Sequence, residues 1–407
     1  MAHQLSSAKS VSNVLPKGVA TPYKLSFVNK PVPRTGRIVS VFASATSGDN
    51  VGPGGRISFS IPGKNFLDMQ SGYIKFRLRT KATGADGIVN PFPYSSYLIK
   101  RIQTRIGGSE VDLIQQYGDL YEVMMNNNCP TGYSTADGTI LEAKGRSIGT
   151  ATADTFSPYI DMTWPLPGIL ANEKCLPLYT VNGTVEIDID LIDANQLSSV
   201  TGYTFEVSQA RLFYDIIRTD DTFNIDWLAQ SRDTVIKHPY ITVMGTNFSL
   251  AANQNTFSQN IGFSAKSVMG VIVAMKQNDE IETRNYKNFT FLNATYRVDS
   301  LTTPTYSIEG NVSAYAELQK TYSNLFDVDA TGSINYADYT TNKFSLGLNL
   351  NRYQDNAMVS TGTPIARGIE IEAKFSAVPA AGAQVYVWII YERELEIDPA
   401  GVVTANR

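Results

Sequence analysis

The sequence predicts an all-β protein built from two tandem antiparallel β-sandwiches. Short runs of β-branched and aromatic residues alternate with polar residues at a period of two, and Gly, Pro, Asn and Asp bound these runs. Predicted strands far outnumber predicted helices. A doubly wound α/β fold is therefore excluded, because that fold needs a helix between successive parallel strands. The strands also fall into two series with the same order of elements.

Composition supports a large folded core. The 407 residues are 43% hydrophobic and 11% aromatic, and 18% are charged, against ~25% in an average protein. Two cysteines, Cys129 and Cys175, are too few for a disulfide framework or a four-thiolate zinc site, and nothing in the sequence indicates a bridge between them. No apolar run reaches the ~18 residues of a membrane span, and the N-terminus lacks the run of a secretory signal.

A basic arm precedes the strands. Residues 1–48 carry six basic residues and no acidic one, which leaves 28 of the 34 basic residues against all 38 acidic ones in the rest of the chain. Four prolines favour an extended conformation. We interpret residues 1–35 as an arm that is either a solvated terminus or a segment that contacts a neighbouring subunit, nucleic acid or a lipid surface. The basic residues are Lys9, Lys17, Lys24, Lys30, Arg34 and Arg37.

The first sandwich is predicted over residues 36–220. Ser109 and Asp112 match a capping box, and apolar residues recur at helical spacing from Val111, so a helix is predicted from about residue 112 to the asparagines at 126–128. Strands are predicted near 36–43, 56–61, 72–79, 98–106, 158–163, 184–192 and 204–217.

The second sandwich is predicted over residues 221–397, followed by a short C-terminal tail at 398–407. Asn311 is a candidate N-cap for a helix that ends near Asn324. Strands are predicted near 234–245, 257–263, 267–276, 289–298, 343–350, 367–376 and 384–395.

The two series form an internal repeat. The strand at 184 matches the strand at 368, since both alternate apolar and acidic residues. Any β-rich chain offers some matches of this kind by chance, but the retained order favours two tandem sandwiches of roughly 180 residues each. The other matches pair 72 with 267, 98 with 289, the helix at 112 with the helix at 312, and 204 with 384.

No catalytic, cofactor or metal site is predicted. His3 lies in the arm and His238 stands alone, so no histidine-based triad or multi-histidine metal site can form. Two acidic ladders could in principle bind calcium or supply the paired carboxylates of a glycosidase. Strand alternation instead predicts that these acids line the solvated face, opposite the buried one. The ladders are Glu186, Asp188 and Asp190 in the first half, and Glu370 and Glu372 in the second.

Three stretches resemble the double jelly-roll major capsid proteins of the adenovirus and tectivirus lineage, most of all those of polinton-like viruses and virophages. The first is Ser60–Leu78, SIPGKNFLDMQSGYIKFRL, and the second is Ile102–Gly118, IQTRIGGSEVDLIQQYG. The third begins at Leu176–Leu178 and continues through the strands that end at Leu191 and Ile217. The resemblance covers most of residues 56–395.

The resemblance implies two eight-stranded jelly rolls side by side with short helices in their loops. It further implies a homotrimer that forms a pseudo-hexagonal capsomer, and neighbouring capsomers that tile an icosahedral shell around double-stranded DNA in the virion. Minor capsid or penton proteins are the other expected partners, and no small-molecule substrate is expected. The basic arm would lie on the inner face, near genome or an internal membrane. Long loops at 128–157, 276–288 and 323–342 would form outer towers and subunit contacts.

Two alternatives come from other functional classes. A β-sandwich adhesin or glycan-binding surface protein would be monomeric and would bind sugar. A jelly-roll glycoside hydrolase would need two carboxylates that face one cleft. The low-charge, Tyr-rich composition favours the capsid interpretation, because aromatic residues are enriched and Asp, Glu and Lys are depleted where subunits bury surface.

Overall fold

The protein folds into two β-sandwiches of the same design, one after the other along the chain. The structure is a computed structural model, and the arm residues Lys9 to Arg37 lie outside the part that it describes. The described residues are 41–42, 44–45, 50–63, 66–81, 94–128, 155–172, 175–197, 202–217, 234–279, 285–326, 334–351, 362–377 and 379–406.

The first roll consists of two antiparallel sheets that enclose a core. Sheet A contains β1 (Val41–Phe42), β3 (Asn50–Val51), β5 (Phe66–Lys81), β8 (Ile160–Pro165), β9 (Cys175–Pro177) and β11 (Thr204–Ile217), with the order β1-β11-β5-β8. Sheet B contains β2 (Ser44–Ala45), β4 (Arg56–Ile61), β6 (Ile99–Ile106), β7 (Ser109–Gln115) and β10 (Val185–Leu191), with the order β2-β4-β10-β6-β7.

The second roll repeats this arrangement. Sheet C contains β12 (Ile236–Leu250), β14 (Ala265–Gln277), β18 (Ser345–Asn349), β19 (Thr363–Ile365), β21 (Ala383–Ile397) and β22 (Val403–Asn406), with the order β12-β21-β14-β18. Sheet D contains β13 (Thr256–Ile261), β15 (Phe291–Val298), β16 (Leu301–Thr302), β17 (Ile308–Glu309) and β20 (Ile369–Phe375), with the order β13-β20-β15-β16. Within the described residues, three α-helices lie in the connections: α1 (Tyr117–Asn128), α2 (Gly310–Phe326) and α3 (Tyr336–Thr341).

Strand alternation builds the core of each roll. Along β10 the apolar residues are buried and the acidic residues between them are half-buried, so one face of the strand lines the core and the other meets solvent. Phe76 on β5 packs on Trp164 of β8 with ring centroids 3.9 Å apart. The same alternation on β20 buries Ile369 and Ile371 in the second roll. The predicted all-β fold of two antiparallel rolls with helices in their connections is confirmed.

The structure also bears the internal repeat out. Strands β5 and β11 pair in sheet A, and β14 and β21 pair in sheet C, as expected from the predicted matches of 72 with 267 and of 204 with 384. Strand β10 lies between β4 and β6, and β20 lies between β13 and β15. Helix α1 follows β7, and α2 follows β17, so each helix leaves the corresponding edge of its sheet.

The predicted start of the first helix, near residue 112, is wrong, because residues 109–115 form β7, whereas its predicted end at the asparagines 126–128 is confirmed. Gly107 and Gly108 have φ values of +59° and +81° and form a two-residue turn that pairs β7 with β6. Val111 and Asp112 are buried in this position. Burial and strand pairing therefore override the local capping pattern, and α1 begins only at Tyr117.

The segment predicted as a C-terminal tail contains a strand. Residues 403–406 form β22, which pairs with β21 at Leu395↔Ala405 and Ile397↔Val403. Val403 is buried. The second roll therefore extends beyond the predicted boundary at residue 397.

Candidate functional site: the joint between the two rolls

The two rolls meet at a joint that buries charged and aromatic side chains. Strand β7 and helix α1 of the first roll face β12, β14 and β21 of the second. The backbones approach so closely that a Cβ atom at Gly245 on β12 would lie 2.2 Å from the carbonyl oxygen of Gln115. Glycine is thus required where β12 passes β7. The joint residues are Tyr97, Val111, Asp112, Asp119 and Glu122 of the first roll and Tyr240, Thr242, Lys276, Tyr286, Tyr386, Trp388 and Arg393 of the second.

A buried lysine lies at the centre of the joint. Lys276 on β14 is fully buried, and its ammonium group forms an ion pair with Asp119 on α1. It also donates a hydrogen bond of 2.8 Å to the hydroxyl of Tyr97. Burying a charge without a partner costs several kcal/mol, and the pairing offsets that cost only while both rolls hold their positions. The ion pair therefore couples the two rolls.

Tyrosine rings enclose this charge. The ammonium of Lys276 lies 4.8 Å from the ring centroids of both Tyr97 and Tyr286 and 5.8 Å from that of Tyr386. These distances favour cation–π attraction in a desolvated site. The Tyr286 hydroxyl lies 3.2 Å from Asp119 Oδ1 and 3.3 Å from Glu122 Oε2. Burial, reinforced by these two acids, raises the pKa of Tyr286 well above its usual value, so its hydroxyl stays protonated as a donor.

Asp112 forms a second polar contact across the joint. Its carboxylate accepts a hydrogen bond from the hydroxyl of Thr242 on β12 and one of 3.3 Å from the backbone N–H of Ile169. Burial raises the pKa of Asp112 to about 6, although these hydrogen bonds and the nearby Arg393 act in the opposite direction. Asp112 thus has its ionisation range near neutral pH.

The backbone of β7 is also held by the second roll. The carbonyl oxygen of Val111 accepts a hydrogen bond of 2.6 Å from the Tyr240 hydroxyl and another from the Arg393 guanidinium. Arg393 also donates to the carbonyl oxygen of Ala405 at 2.9 Å. The first two bonds satisfy the Val111 carbonyl on the edge strand of sheet B. The joint thus covers this edge at Val111.

The acidic ladders lie on half-exposed strand faces, where ion pairs hold them. Asp190 pairs with Arg56 at 2.7 Å and with Arg101 on the two flanking strands. Hydrogen bonding to these arginines lowers the pKa of Asp190 despite its partial burial. Arg297 pairs with Glu370 at 2.9 Å in the second roll. These cross-strand pairs leave the acids as parts of the sheet surfaces, as the alternation predicts.

The other candidate residues do not form a reactive site. His238 is buried on β12, and within the described ranges no group of three or more His, Cys, Asp or Glu residues could hold a metal ion. Trp164 and Trp388 lie in different rolls and are both fully buried. No helix in the described part of the chain is long and apolar enough to cross a membrane. His3, Cys129, Trp227 and most of the predicted loop at 128–157 fall outside the described residues. The predicted loops at 276–288 and 323–342 are described except for residues 280–284 and 327–333, and α3 lies in the second of them.

Local sequence patterns do not single out Lys276 or Asp119. The available signal is the apolar run at 268–275, which ends directly in a lysine on a predicted strand. The pattern around Asp112 predicts a helix cap, whereas the residue lies on a strand. Lys276 and Asp119 are 157 positions apart in sequence, and Thr242 and Asp112 are 130 apart. Local periodicity cannot pair residues at such separations.

Comparison with solved structures shows that capsid proteins share this fold. The PBCV-1 protein VP54, in a crystal structure fitted into a reconstruction of the virophage Sputnik, has a TM-score of 0.62 at 13% identity, over 93% of this chain and 99% of that chain. A PBCV-1 virus capsid model gives 0.59 at 12% identity, over 93% and 99%. The mavirus major capsid protein gives 0.53 at 10% identity, over 94% and 93%. No protein-family model matches the sequence, and no curated protein does.

Replacing Lys276 with methionine should destabilise the protein strongly. Lys276→Met removes the cation and leaves Asp119 buried without it, so we expect the free energy of unfolding to fall by about 3–5 kcal/mol. Urea denaturation measures this change. Lys320→Met is the matched control, since Lys320 pairs with Glu317 at 2.6 Å but its side chain is 60% exposed, and the expected loss is at most about 1 kcal/mol. Equal losses in the two variants would contradict a coupling role for Lys276.

The raised pKa of Asp112 predicts a pH dependence of stability. Between pH 4 and pH 6 the folded protein holds a proton at Asp112 that the unfolded chain has largely released, so this group's contribution to stability falls as pH rises. We expect the unfolding free energy of wild type to fall relative to that of Asp112→Asn across this range, because asparagine has no carboxyl proton to lose. Chemical denaturation at each pH measures it, and comparison with the variant cancels the other titrating groups. A difference that stays constant from pH 4 to pH 7 would contradict the assignment.

Proposed function

We propose that this chain is a major capsid protein that assembles as a homotrimer. In this proposal the trimers are pseudo-hexagonal capsomers that tile an icosahedral shell around a double-stranded DNA genome, and the protein is located in the virion. The observation that carries the proposal is the pair of like rolls joined side by side in one chain. That architecture extends over 93% of this chain in its match to the PBCV-1 capsid model.

The joint supports this function mechanically. A shell subunit must keep its shape while neighbours bind to several of its faces. The buried ion pair of Lys276 and Asp119, together with the close contact of β12 with β7, opposes relative movement of the two rolls. The subunit therefore offers its neighbours one rigid surface.

An adhesin or glycan-binding role is not favoured. Trp164 and Trp388 are fully buried, so neither presents a ring on which a sugar could stack. The solved structures that share the fold are viral capsid components by their descriptions. Their role as structural proteins also supports a non-enzymatic function here.

The basic arm and further partners belong to the same proposal. We infer that residues 1–35 lie on the inner face of the shell, where their basic residues contact minor capsid proteins, an internal membrane or the genome. The support is the charge asymmetry: the arm has no acidic residue, whereas acids outnumber bases in the rest of the chain. Neighbouring capsomers and penton proteins would contact the sides of the trimer.

Purified protein should form trimers of hexagonal outline. Light scattering should give a mass of three chains of 44.6 kDa, and negative-stain electron microscopy should show hexagonal particles or closed shells. A protein that stays monomeric as its concentration rises would contradict the proposal, and glycan-array binding would then test the adhesin alternative.

The arm should be protected in assembled particles. Trypsin cleaves after lysine and arginine, so the arm provides its own cleavage sites at Lys9, Lys17 and Lys24. We expect cleavage to be slower in particles than in free protein, as measured by mass spectrometry over time. Equal cleavage rates in the two samples would contradict an inner position.

A further inference from the structure

The internal repeat identifies surfaces that are buried in one roll and exposed in the other. Ile102 on β6 and Ala294 on β15 occupy the same position, because each pairs with the fifth residue of its matched strand, β10 or β20. Ile102 also pairs with Ile114, and Ala294 with Ile308, so Ile114 and Ile308 are equivalent. Two residues later, Gln116 and Gly310 both have positive φ values, +53° and +69°. The two helices can therefore be aligned residue by residue from this point.

This alignment matches the buried acids of α1 with exposed residues of α2. Asp119 corresponds to Ser313, and Glu122 corresponds to Ala316. Asp119 and Glu122 are 6% and 4% exposed because the second roll covers them, whereas Ser313 and Ala316 are both exposed. Val312 beside them is 69% exposed. The second roll thus has the same helix face as the first, but neither roll, as far as the structure describes it, covers this face.

The edge beside α2 is uncovered as well. Strand β7 of the first roll is continuous and buried against β12, but its counterpart in the second roll is split into β16 and β17. Leu301 on β16 is 73% exposed, and Tyr306 between the two strands is 52% exposed. We call the surface formed by Leu301, Tyr306, Val312, Ser313 and Ala316 the α2 face.

The surface of sheet A that corresponds to the second roll's side of the joint is partly exposed, although Phe156 and Tyr159 lie over Arg79. Strand β8 ends one residue after Trp164, and β18 ends one residue after Leu348, so we match these two residues. Trp164 pairs with Ile74 on β5, and Leu348 pairs with Val271 on β14, so Ile74 and Val271 correspond to each other. Counting along β5 and β14 from these partners then matches Lys276 with Arg79 and Ala274 with Arg77.

The matched residues of β14 and β5 differ in burial: those of β14 are buried in the joint, and those of β5 are partly exposed. Lys276 and Ala274 are completely buried by the first roll, whereas the side chains of Arg79 and Arg77 are 26% and 47% exposed. Lys75 on the same strand face is 50% exposed. Tyr73 and Tyr159 add exposed aromatic surface beside them. We call this outer surface of sheet A the basic face.

We infer that the α2 face of one copy packs on the basic face of the next copy, in the geometry of the joint within the chain. This inference rests on the proposed homotrimer and names its interface. The two faces are different surfaces, so copies join head to tail, and such a contact forms a closed ring when the rotation per copy divides a full turn. Three chains would supply six rolls, with three joints inside chains and three between them.

The chemistry of the two faces suits this contact. The α2 face has small and apolar side chains at Val312, Ser313 and Ala316, which allow close approach. The basic face has Lys75, Arg77 and Arg79. Lys75 and Arg77 pair with Asp161 on β8, and Arg79 pairs with Glu206 on β11. A cation added to the α2 face would thus meet like charge at the contact.

Ala316→Arg tests the α2 face. Ala316 is an exposed helix residue, and arginine is a good helix former, so the variant should fold. We expect the concentration at which trimers dissociate, measured by mass photometry, to rise by at least about tenfold. Ala252→Arg is the control, because Ala252 is exposed in the β12–β13 turn, outside both faces. Circular dichroism and thermal unfolding of each variant check the fold.

Lys75→Glu tests the basic face against a closely matched control, Lys374→Glu. Both lysine side chains are 50% exposed, and each pairs with an acid across about the same distance: 3.5 Å to Asp161 for Lys75, and 3.4 Å to Glu372 for Lys374. Lys374 lies on β20 in sheet D, outside both faces. We expect Lys75→Glu to weaken the trimer and Lys374→Glu to leave it unchanged.

The outcomes separate this inference from the proposed function. If wild type is trimeric but Ala316→Arg and Lys75→Glu trimers dissociate at the same concentration as their controls, the interface is overturned and the trimer stands. If wild type remains monomeric at every concentration, both the interface and the capsomer proposal are overturned. Weakening by both test variants and by neither control supports the interface.

Discussion

The buried ion pair between Lys276 and Asp119 is the contact on which the arrangement of the two rolls depends. Neither residue could remain charged and buried within its own roll, because each has its partner on the other. Tyr97 supplies a hydroxyl, and Tyr97 and Tyr286 both supply ring faces, that replace water around the ammonium. Apolar side chains could hold two rolls together in several registers, whereas a desolvated charge has one position in which it is paired. We regard this pair as the element that specifies the register of the joint.

The joint also explains the composition of two strands. In an isolated sandwich one face of each strand meets solvent, and alternation of apolar and polar residues follows. Strands β14 and β21 instead read as continuous apolar runs, because the first roll covers the face that would otherwise be wet. Trp388 and Ala274 are completely buried on that side. Gly245 permits the close approach of β12 at the same place. The apolar sequences of β14 and β21 thus reflect the burial of both faces of these strands.

The same repeat connects the subunit to its proposed assembly. A chain with two like rolls and one joint has one helix face and one sheet face left without a partner. In the first roll the corresponding helix face is charged and buried, and in the second it is neutral and exposed. The two kinds of joint are therefore built differently: the one within the chain uses a buried ion pair, and the one proposed between chains joins small and apolar side chains to a basic sheet surface. A contact between separate molecules that avoids burying an ion pair also avoids its desolvation cost.

Local sequence was sufficient for most strands and for one helix. Period-two alternation located β4 and β11 to the residue, and it placed the acids of β10 on the wet face, because the pattern records which side of a strand meets its own core. The same local reasoning failed at residues 109–115, where a capping pattern predicted a helix and pairing with β6 formed a strand. It also had no means of finding the joint. Lys276 and Asp119 are 157 residues apart, and the polarity of a residue shows that it needs a partner without showing where the partner lies. Long-range packing of one roll on the other determines that Asp119 is the partner of Lys276, since only the folded chain brings the two charges together away from water.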